Sequence, residues 1–298
     1  MIGLSTFALK ANLSRILGEH VTILVTGATG HVGRAVVDAL VAAGQDVRAS
    51  SRDAAKLDVP DGVAKVNADL EDPSTLEPAL DGVESVFLYT QRQGIDGFVK
   101  AAEGAGVRHV VLLSSGATLE PQSAQSRIAR LHRVVEEALI AAPFAETLLN
   151  PGSFATNTLG WRRDVAEGVV RTPYPDSRVG AIHERDIGDV AAKILADGSH
   201  AGQALQLSGP EPISFREQAA VLADVLGRPL RVEELTPEQA AERMTALGWP
   251  PEVPPEVLRA IERTTREPSV VTGVVREVTG HAPRTFRQWA EEHRADFS

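Results

Sequence analysis

The 298-residue sequence contains no cysteine. This absence excludes disulfides, thiolate zinc sites, iron–sulfur clusters and cysteine nucleophiles. Lysine is scarce as well, because 25 of the 30 basic residues are arginine. The motif Gly-x-Ser-x-Gly is also missing, which argues against an ordinary serine hydrolase.

Long apolar runs and an excess of positive charge are likewise missing. No apolar stretch approaches the ~20 residues that span a bilayer, and the amino terminus lacks the basic and apolar regions of a secretory signal. The net charge of −10 disfavours contact with nucleic acid. We therefore expect a cytoplasmic protein that contacts neither membrane nor nucleic acid.

Residues 1–20 precede the main pattern and contain a short amphipathic period. Leu9, Leu13, Ile16 and Leu17 recur at helical spacing. We expect an N-terminal helical extension here. This helix could pack on the body of the protein or on a partner subunit. Equally, the extension could have no role.

From Val21 onward, strand-like and helix-like patterns alternate along the chain. Strands that alternate with helices of this length imply parallel βαβ units. Right-handed crossovers then give an α/β fold with a Rossmann-type, doubly wound parallel sheet. The β-branched, apolar runs lie at residues 21–26, 46–51, 63–67, 85–89, 107–114, 146–150 and 203–208.

The pattern changes in the second half of the chain. A stretch rich in glycine, proline and aromatic residues has little periodicity, and helical periods follow it. We predict that residues 21–150 and 183–210 form a dinucleotide-binding domain. Residues 151–182 and 211–298 would then form a smaller, mostly helical substrate lobe. We expect a monomer or a homodimer.

A glycine-rich turn lies between the first strand and the first helix. Gly27 permits the tight turn, Gly30 lets the backbone approach a pyrophosphate, and Gly33 allows the helix to pack closely on the strand. Amide groups at the start of the helix would face the phosphates, helped by the helix dipole. The residues predicted to bind a dinucleotide here are Gly27, Thr29, Gly30, His31, Val32 and Gly33.

The end of the second strand bears on which nicotinamide cofactor binds. Sites that prefer NAD(H) place an acidic residue here, whereas this chain has Ser51 followed by Arg52. A guanidinium beside a hydroxyl suits a 2′-phosphate, and no acid stands at this position to repel it. We therefore predict NADP(H) in preference to NAD(H). Asp69 and Leu70, after the third strand, are expected to border the adenine.

Several segments resemble the NmrA-like group of atypical short-chain dehydrogenases/reductases. This group includes NADPH:quinone reductases and redox-sensing regulators. The resemblance extends from Val21 to Arg231, and its most specific motif is the glycine turn. The supporting segments are residues 23–30, 69–72, 110–115, 132–136, 148–154, 185–187 and 207–210.

The chain departs from these dehydrogenases at the proton relay. Ordinary members carry Tyr-x-x-x-Lys on the helix after the fifth strand, with the tyrosine as proton donor. Ile128 and His132 hold these two places, and no lysine occurs between Lys100 and Lys193. The usual relay is therefore absent. This absence also conflicts with a sugar-nucleotide epimerase.

The resemblance implies which residues surround the ribose and the nicotinamide of the cofactor. Their positions agree with the general rule that ligands bind at the carboxyl ends of parallel strands. They are Tyr89 and Thr90 at the fourth strand, Ser114 and Ser115 at the fifth, and Pro151, Gly152, Ser153 and Phe154 at the sixth.

Two polar side chains are candidates for a catalytic role. His132 could donate a proton or hold the ribose hydroxyls, and it could equally be a histidine satisfied by local polar groups. Ser115 could hydrogen-bond a substrate carbonyl, or it could be a satisfied strand-end hydroxyl. A positioned water or a hydroxyl of the substrate is a third source of the proton, which we slightly favour. We predict no metal site, because His183, Glu184 and Asp186 lack further imidazoles at ligand spacing.

These observations favour an NADPH-dependent reductase that acts on a carbonyl or quinone group of a small molecule. Aromatic and polyketide ketones of antibiotic biosynthesis belong to this class. A quinone or an extended aromatic ketone needs no strong acid, because its reduced product delocalises the negative charge. The alternative is a non-enzymatic, NADP-sensing regulator of the NmrA type, which would keep the glycine turn and also lack the catalytic pair.

Overall fold

A computed structural model describes residues 22–120 and 123–297. The helix expected within residues 1–20 lies outside the described residues. The strands are β1 (Thr22–Val25), β2 (Asp46–Ser51), β3 (Ala64–Asn67), β4 (Val83–Tyr89), β5 (His109–Leu113), β6 (Ala145–Pro151), β7 (Val169–Thr172), β8 (Arg178–Val179), β9 (Gln203–Leu207), β10 (Ile213–Ser214) and β11 (Arg231–Glu234). The α-helices are α1 (His31–Ala42), α2 (Leu76–Leu80), α3 (Ile95–Ala105), α4 (Arg127–Ile140), α5 (Arg162–Ala166), α6 (Glu184–Asp197), α7 (Phe215–Leu226), α8 (Pro237–Ala246), α9 (Pro254–Arg266), α10 (Val274–Thr279) and α11 (Phe286–Glu292).

A seven-stranded parallel sheet forms the centre of the fold. Its strand order is β3-β2-β1-β4-β5-β6-β9, and each neighbouring pair is parallel. The predicted Rossmann-type, doubly wound α/β fold is confirmed. The strand order reverses between β1 and β4. The loops that leave these two strands therefore diverge and open a crevice at the carboxyl ends of the strands.

Helices cover the two faces of this sheet because each has an apolar side. On one face, α1 and α6 bury residues such as Val36, Leu40 and Ile187. On the other face, α2, α3 and α4 bury residues such as Phe98 and Leu139. The apolar residues recur every three to four positions, so each helix presents one stripe to the sheet.

The smaller lobe has a core of its own. Trp289, Phe286, Leu222 and Val170 pack together there, and two short strand pairs frame them. β7 pairs in parallel with β11, and β8 pairs antiparallel with β10.

One helix of the C-terminal segment belongs to the central sheet instead. Val275 and Val278 of α10 join the apolar cluster that contains Ile187 and Val190 of α6. The segment 211–298 thus contributes to both cores, and the expected boundary at residue 211 does not separate them. A six-residue helix is too short to show a helical period in the sequence.

Among the helices in the described ranges, none combines the length and the apolar character needed to cross a membrane.

Candidate active site

Two glycines shape the turn after β1. Gly27 has φ +62°, and a Cβ there would lie 2.9 Å from Cδ1 of Tyr89. A Cβ on Gly33 would lie 2.3 Å from the carbonyl oxygen of Gly27. Side chains at these positions would therefore distort the cradle that a dinucleotide pyrophosphate needs. The sequence predicted that Gly33 lets the helix pack on the strand. In the structure, the backbone of the turn at Gly27 and Ala28 is what leaves no room for a side chain at Gly33.

Hydrogen bonds fix the end of β1 relative to β4. Thr26 Oγ1 donates to the carbonyl oxygen of Phe87 at 2.9 Å and accepts from the N–H of Tyr89 at 3.1 Å. The glycine turn thus starts from the point where the strand order reverses. The predicted binding residues that follow at this crevice are the exposed Thr29, Gly30 and His31 and the half-buried Val32.

The end of β2 carries the arginine predicted to bind a 2′-phosphate. Arg52 is exposed and lies near Tyr89, whose pKa is raised by burial and lowered by this guanidinium. Asp53, the residue after Arg52, is an acid that the sequence prediction did not take into account. The Asp53 carboxylate caps the next turn and lies 3.2 Å from Lys56 Nζ, while the Ser51 hydroxyl donates to the Asp53 carbonyl oxygen at 2.7 Å. The Asp53 carboxylate is thus paired with Lys56 and with the N–H of Ala55, and Arg52 is the basic side chain next to Ser51.

The two residues expected to border the adenine lie in different surroundings. The side chain of Leu70 is 1% exposed and belongs to the core cluster of α3, so it faces the core and not the adenine. Its β-turn neighbour Asp69 is half-exposed at the same edge, where its carboxylate accepts from the N–H of Glu71 at 3.1 Å.

The imidazole of His132 is half-buried on α4. Its Nδ1 lies 3.2 Å from Thr90 Oγ1, and that hydroxyl donates its own hydrogen to the carbonyl oxygen of Leu113 at 2.7 Å. The Thr90 oxygen is therefore the acceptor, and Nδ1 of His132 carries a proton. In the neutral ring, Nε2 then holds a lone pair.

The charge of His132 follows from its surroundings. Burial lowers its pKa, and the carboxylate of Glu136 one helical turn later opposes this effect. The net shift is downward from the ordinary value, so the ring is neutral near pH 7. A neutral imidazole is a hydrogen-bond acceptor at Nε2 and a poor proton donor. Ile128, one turn earlier, offers no proton.

The two serines at the end of β5 differ in their partners. Ser115 is half-buried, and its Oγ accepts from the N–H of Ala117 at 3.2 Å, which leaves the hydroxyl hydrogen for donation. The Ser114 hydroxyl donates to the carboxylate of Glu136, and Ser114 is only 3% exposed. Its side chain therefore bonds within the protein, although it was expected beside the cofactor.

The end of β6 lies against the end of β5. A Cβ on Gly116 would lie 3.1 Å from the carbonyl oxygen of Pro151, so the two loops form one continuous edge. The N–H of Gly152 donates to the carbonyl oxygen of Leu207 at 3.2 Å, which fixes this edge to β9. The predicted residues Pro151, Gly152, Ser153 and Phe154 are placed here together.

The smaller lobe is attached to the start of α4 by a carboxylate of α9. Glu256 accepts from the N–H of Arg127 at 2.9 Å, from the N–H of Ile128 at 3.3 Å and from the hydroxyl of Ser126. A carboxylate at a helix N-terminus satisfies amides that lack intrahelical partners and complements the helix dipole. The sequence argument missed this contact, because its partners lie about 130 residues apart.

His183, Glu184 and Asp186 lie together at the start of α6, where Nδ1 of His183 is 3.3 Å from Glu184. His183 Nδ1 accepts from the N–H of Arg185 at 3.2 Å, and Glu184 lies 2.7 Å from Nε2 of His293. Burial would raise the pKa of Glu184, but the neighbouring imidazoles of His183 and His293 lower it overall. Each group thus has a structural role at the start of α6.

The third of these residues, Asp186, belongs to a different cluster. Ligand atoms of Asp186, Asp189 and His281 lie within 4.8 Å of one another. The Arg284 guanidinium donates to Asp186 at 2.5 Å and to Asp189 at 2.8 Å. The guanidinium of Arg284 therefore bridges the two carboxylates and fixes the loop before α11.

The sequence was compared with known families and proteins. Residues 19–270 match the NmrA-like family. The chain belongs to this family. A (4-alkanoyl-5-oxo-2,5-dihydrofuran-3-yl)methyl phosphate reductase of Streptomyces griseus is 41% identical over 282 residues, with coverage of 93% of this chain and 99% of the relative. An NAD(P)H azoreductase of Xenophilus azovorans is 35% identical over 294 residues, with coverage of 92% and 99%.

Solved structures show the same fold. An NADPH-dependent quinone oxidoreductase of Escherichia coli, in complex with NADPH, has a TM-score of 0.75 at 22% identity, with coverage of 91% of this chain and 99% of that one. The predicted resemblance to the NmrA-like family is thus confirmed. By its family and its reductase relatives, the chain is an NAD(P)H-dependent oxidoreductase.

Proposed function

We propose that the protein transfers a hydride from NADPH to a small molecule with a carbonyl, a quinone or a carbonyl-conjugated double bond. Bound NADPH would supply the hydride. Arg52 beside Ser51 supports NADPH over NADH, because a guanidinium can bind a 2′-phosphate with two parallel hydrogen bonds. The glycine cradle at Gly27 and Gly33 fits the pyrophosphate of either cofactor.

The observation that carries this proposal is the neutral imidazole at the position of the usual lysine. His132 donates from Nδ1 to Thr90, its pKa is lowered, and Ile128 takes the place of the phenol. Tyr89 packs on the Gly27 turn instead. A substrate reduced here must therefore stabilise the new negative charge by delocalisation until water or its own hydroxyl supplies a proton.

The names of the two relatives support this class of substrate. A 4-alkanoyl-5-oxo-2,5-dihydrofuran contains a ring double bond conjugated with two carbonyl groups, and an azo compound contains an electron-poor nitrogen–nitrogen double bond. Both can spread the charge left by hydride addition. Quinones and extended aromatic or polyketide ketones have the same property.

Each polar group at the crevice has a role in this scheme. Nε2 of His132 would accept a hydrogen bond from a ribose hydroxyl of the cofactor. The Ser115 hydroxyl would donate to the carbonyl oxygen of the substrate and orient it. The Glu256 contact would hold α9 against the start of α4.

The test is NADPH consumption with pairs of acceptors that differ only in conjugation. Each quinone, conjugated lactone or aromatic ketone is matched with a saturated ketone of similar size, and NADH is run in parallel. We expect loss of the nicotinamide absorbance with the conjugated member of each pair and preference for NADPH. A panel without any turnover, together with tight NADPH binding, would favour the NADP-sensing regulator, which the missing Tyr–Lys pair also allows.

A further inference from the structure

Glu136 is a buried carboxylate at the junction of three segments. It lies on α4 and is 8% exposed. Its Oε1 accepts hydrogen bonds from the hydroxyl of Ser114, from Thr118 Oγ1 at 3.1 Å and from Asn150 Nδ2 at 3.2 Å. These donors belong to the end of β5, to the following 3₁₀ turn and to the end of β6. One oxygen atom therefore joins the loops at the carboxyl edge of the sheet.

The network continues from Glu136 to the backbone of Ser115. Asn150 Nδ2 shares its two hydrogens between Glu136, the Ser115 carbonyl oxygen at 3.1 Å and Thr118 Oγ1 at 2.9 Å. The one hydroxyl hydrogen of Thr118 is likewise shared between Glu136 and the same carbonyl oxygen, which lies 2.9 Å from Oγ1. The position of Ser115, proposed above to orient the substrate, thus depends on groups that Glu136 holds.

Fold stability alone does not explain why a carboxylate occupies this buried position. Burying a charge is costly, and an apolar side chain of similar volume would fill the same space without desolvation. What a carboxylate adds is geometry, because several donors must converge on one oxygen. Such convergence fixes loops that apolar contacts would leave free to shift.

We propose that Glu136 is a positioning residue, which holds the ends of β5 and β6 in the arrangement that receives the nicotinamide half of the cofactor. This proposal rests on the proposed function. Glu136 acts through Ser115 and Asn150 and touches neither cofactor nor substrate. The adenine half, bound near Arg52 at β2, should be indifferent to Glu136, because β2 lies on the other side of β1 and β4 in the sheet.

The test compares two ligands on the full chain. NADPH reports both halves of the site, whereas 2′,5′-ADP reports only the adenine half. We expect Glu136→Gln to raise the Kd of NADPH on the order of tenfold, which is the scale of one or two weakened hydrogen bonds to a charged group. The Kd of 2′,5′-ADP should stay within about twofold of the wild-type value, which is less than the loss of one hydrogen bond would cause.

A matched control removes the same charge from the next residue. Glu137 is exposed and borders the same surface cavity of about 170 Å³ as Glu136. It has no place in the network, so Glu137→Gln should leave both Kd values unchanged. If Glu136→Gln does not fold, Thr118→Val removes one donor and keeps the carboxylate. It should weaken NADPH in the same direction by a smaller factor.

Several results separate this proposal from the proposed function. If neither NADPH nor 2′,5′-ADP binds the wild-type protein, the cofactor assignment fails. If both bind the wild type and Glu136→Gln changes neither Kd, Glu136 is not a positioning residue. An equal loss for both ligands, or an equal effect of Glu137→Gln, would also overturn the proposal, because it would show a general effect of charge or stability.

Discussion

Replacement of His132 by alanine distinguishes a neutral ligand-binding histidine from a catalytic acid. The change removes the bond from Nδ1 to Thr90 and the lone pair at Nε2. It leaves the bond from Thr90 to the carbonyl oxygen of Leu113 in place. The fold around β4 and β5 should therefore survive, and the effect should be confined to the crevice.

The two roles predict effects of different size on different constants. A neutral hydrogen bond contributes about 0.5–1.5 kcal/mol, so its loss should raise the Kd of NADPH about 2- to 13-fold. The rate at saturating NADPH should then stay close to that of the wild type. Loss of a general acid would instead lower that rate about 10²–10⁴-fold.

The assay combines fluorescence titration of NADPH with steady-state rates at saturating NADPH and acceptor, from about pH 6 to 8.5. Arg130→Ala is the control, because this exposed residue lies on the same helix and its guanidinium donates to the carbonyl oxygen of Ala124. A loss of rate of about a hundredfold or more in His132→Ala, with loss of the wild-type pH dependence, would refute the reasoning and make His132 the acid.

Three further predictions concern the cofactor, the lobe and the stability. Arg52→Ala should weaken NADPH by about 1.5–3 kcal/mol in titration calorimetry and leave NADH nearly unchanged; equal losses would contradict the 2′-phosphate assignment. Glu256→Ala should raise the KM of the acceptor and speed proteolysis within α9, and unchanged cleavage would show that the carboxylate does not hold the lobe. Burial lowers the pKa of His109 to about 4, below its value of ~6.5 in the unfolded chain. The unfolding free energy should therefore fall by about 3 kcal/mol as pH drops from ~6.5 to 4, and denaturant titrations of His109→Gln should lack this decline.

The parts of the fold that follow local patterns could be predicted from the sequence. Glycine positions and the alternation of strands with helices led to the parallel sheet, because each βαβ unit carries its own hydrophobic period. β7 and β8 could not be found in this way, because they are short, lie outside the alternating βαβ pattern and pair with β11 and β10, which come much later in the chain. The short helix α10 was not predicted either, because six residues show no helical period. Its burial against α6 depends on tertiary packing.

The candidate site was only partly predictable for a related reason. Arg52 and the Gly27 turn lie within contiguous motifs, whereas Glu256 reaches the start of α4 from about 130 residues away. The role of Glu136 had one usable signal, its spacing of four from His132, which places both on neighbouring turns of one helix. The state of His132 needed the structure, because Thr90 determines which ring nitrogen carries the proton.

The central claim is hydride transfer from NADPH without an acidic side chain. The most direct measurement is the single-turnover rate of the wild-type protein with saturating NADPH and a conjugated acceptor, followed from about pH 6 to 8.5 and repeated with NADPH deuterated at the transferred position. The account predicts a rate that deuterium slows and that pH changes by no more than about twofold, because no titrating acid takes part in the step. A deuterium-sensitive rate that falls about tenfold for each pH unit above a single pKa would contradict it.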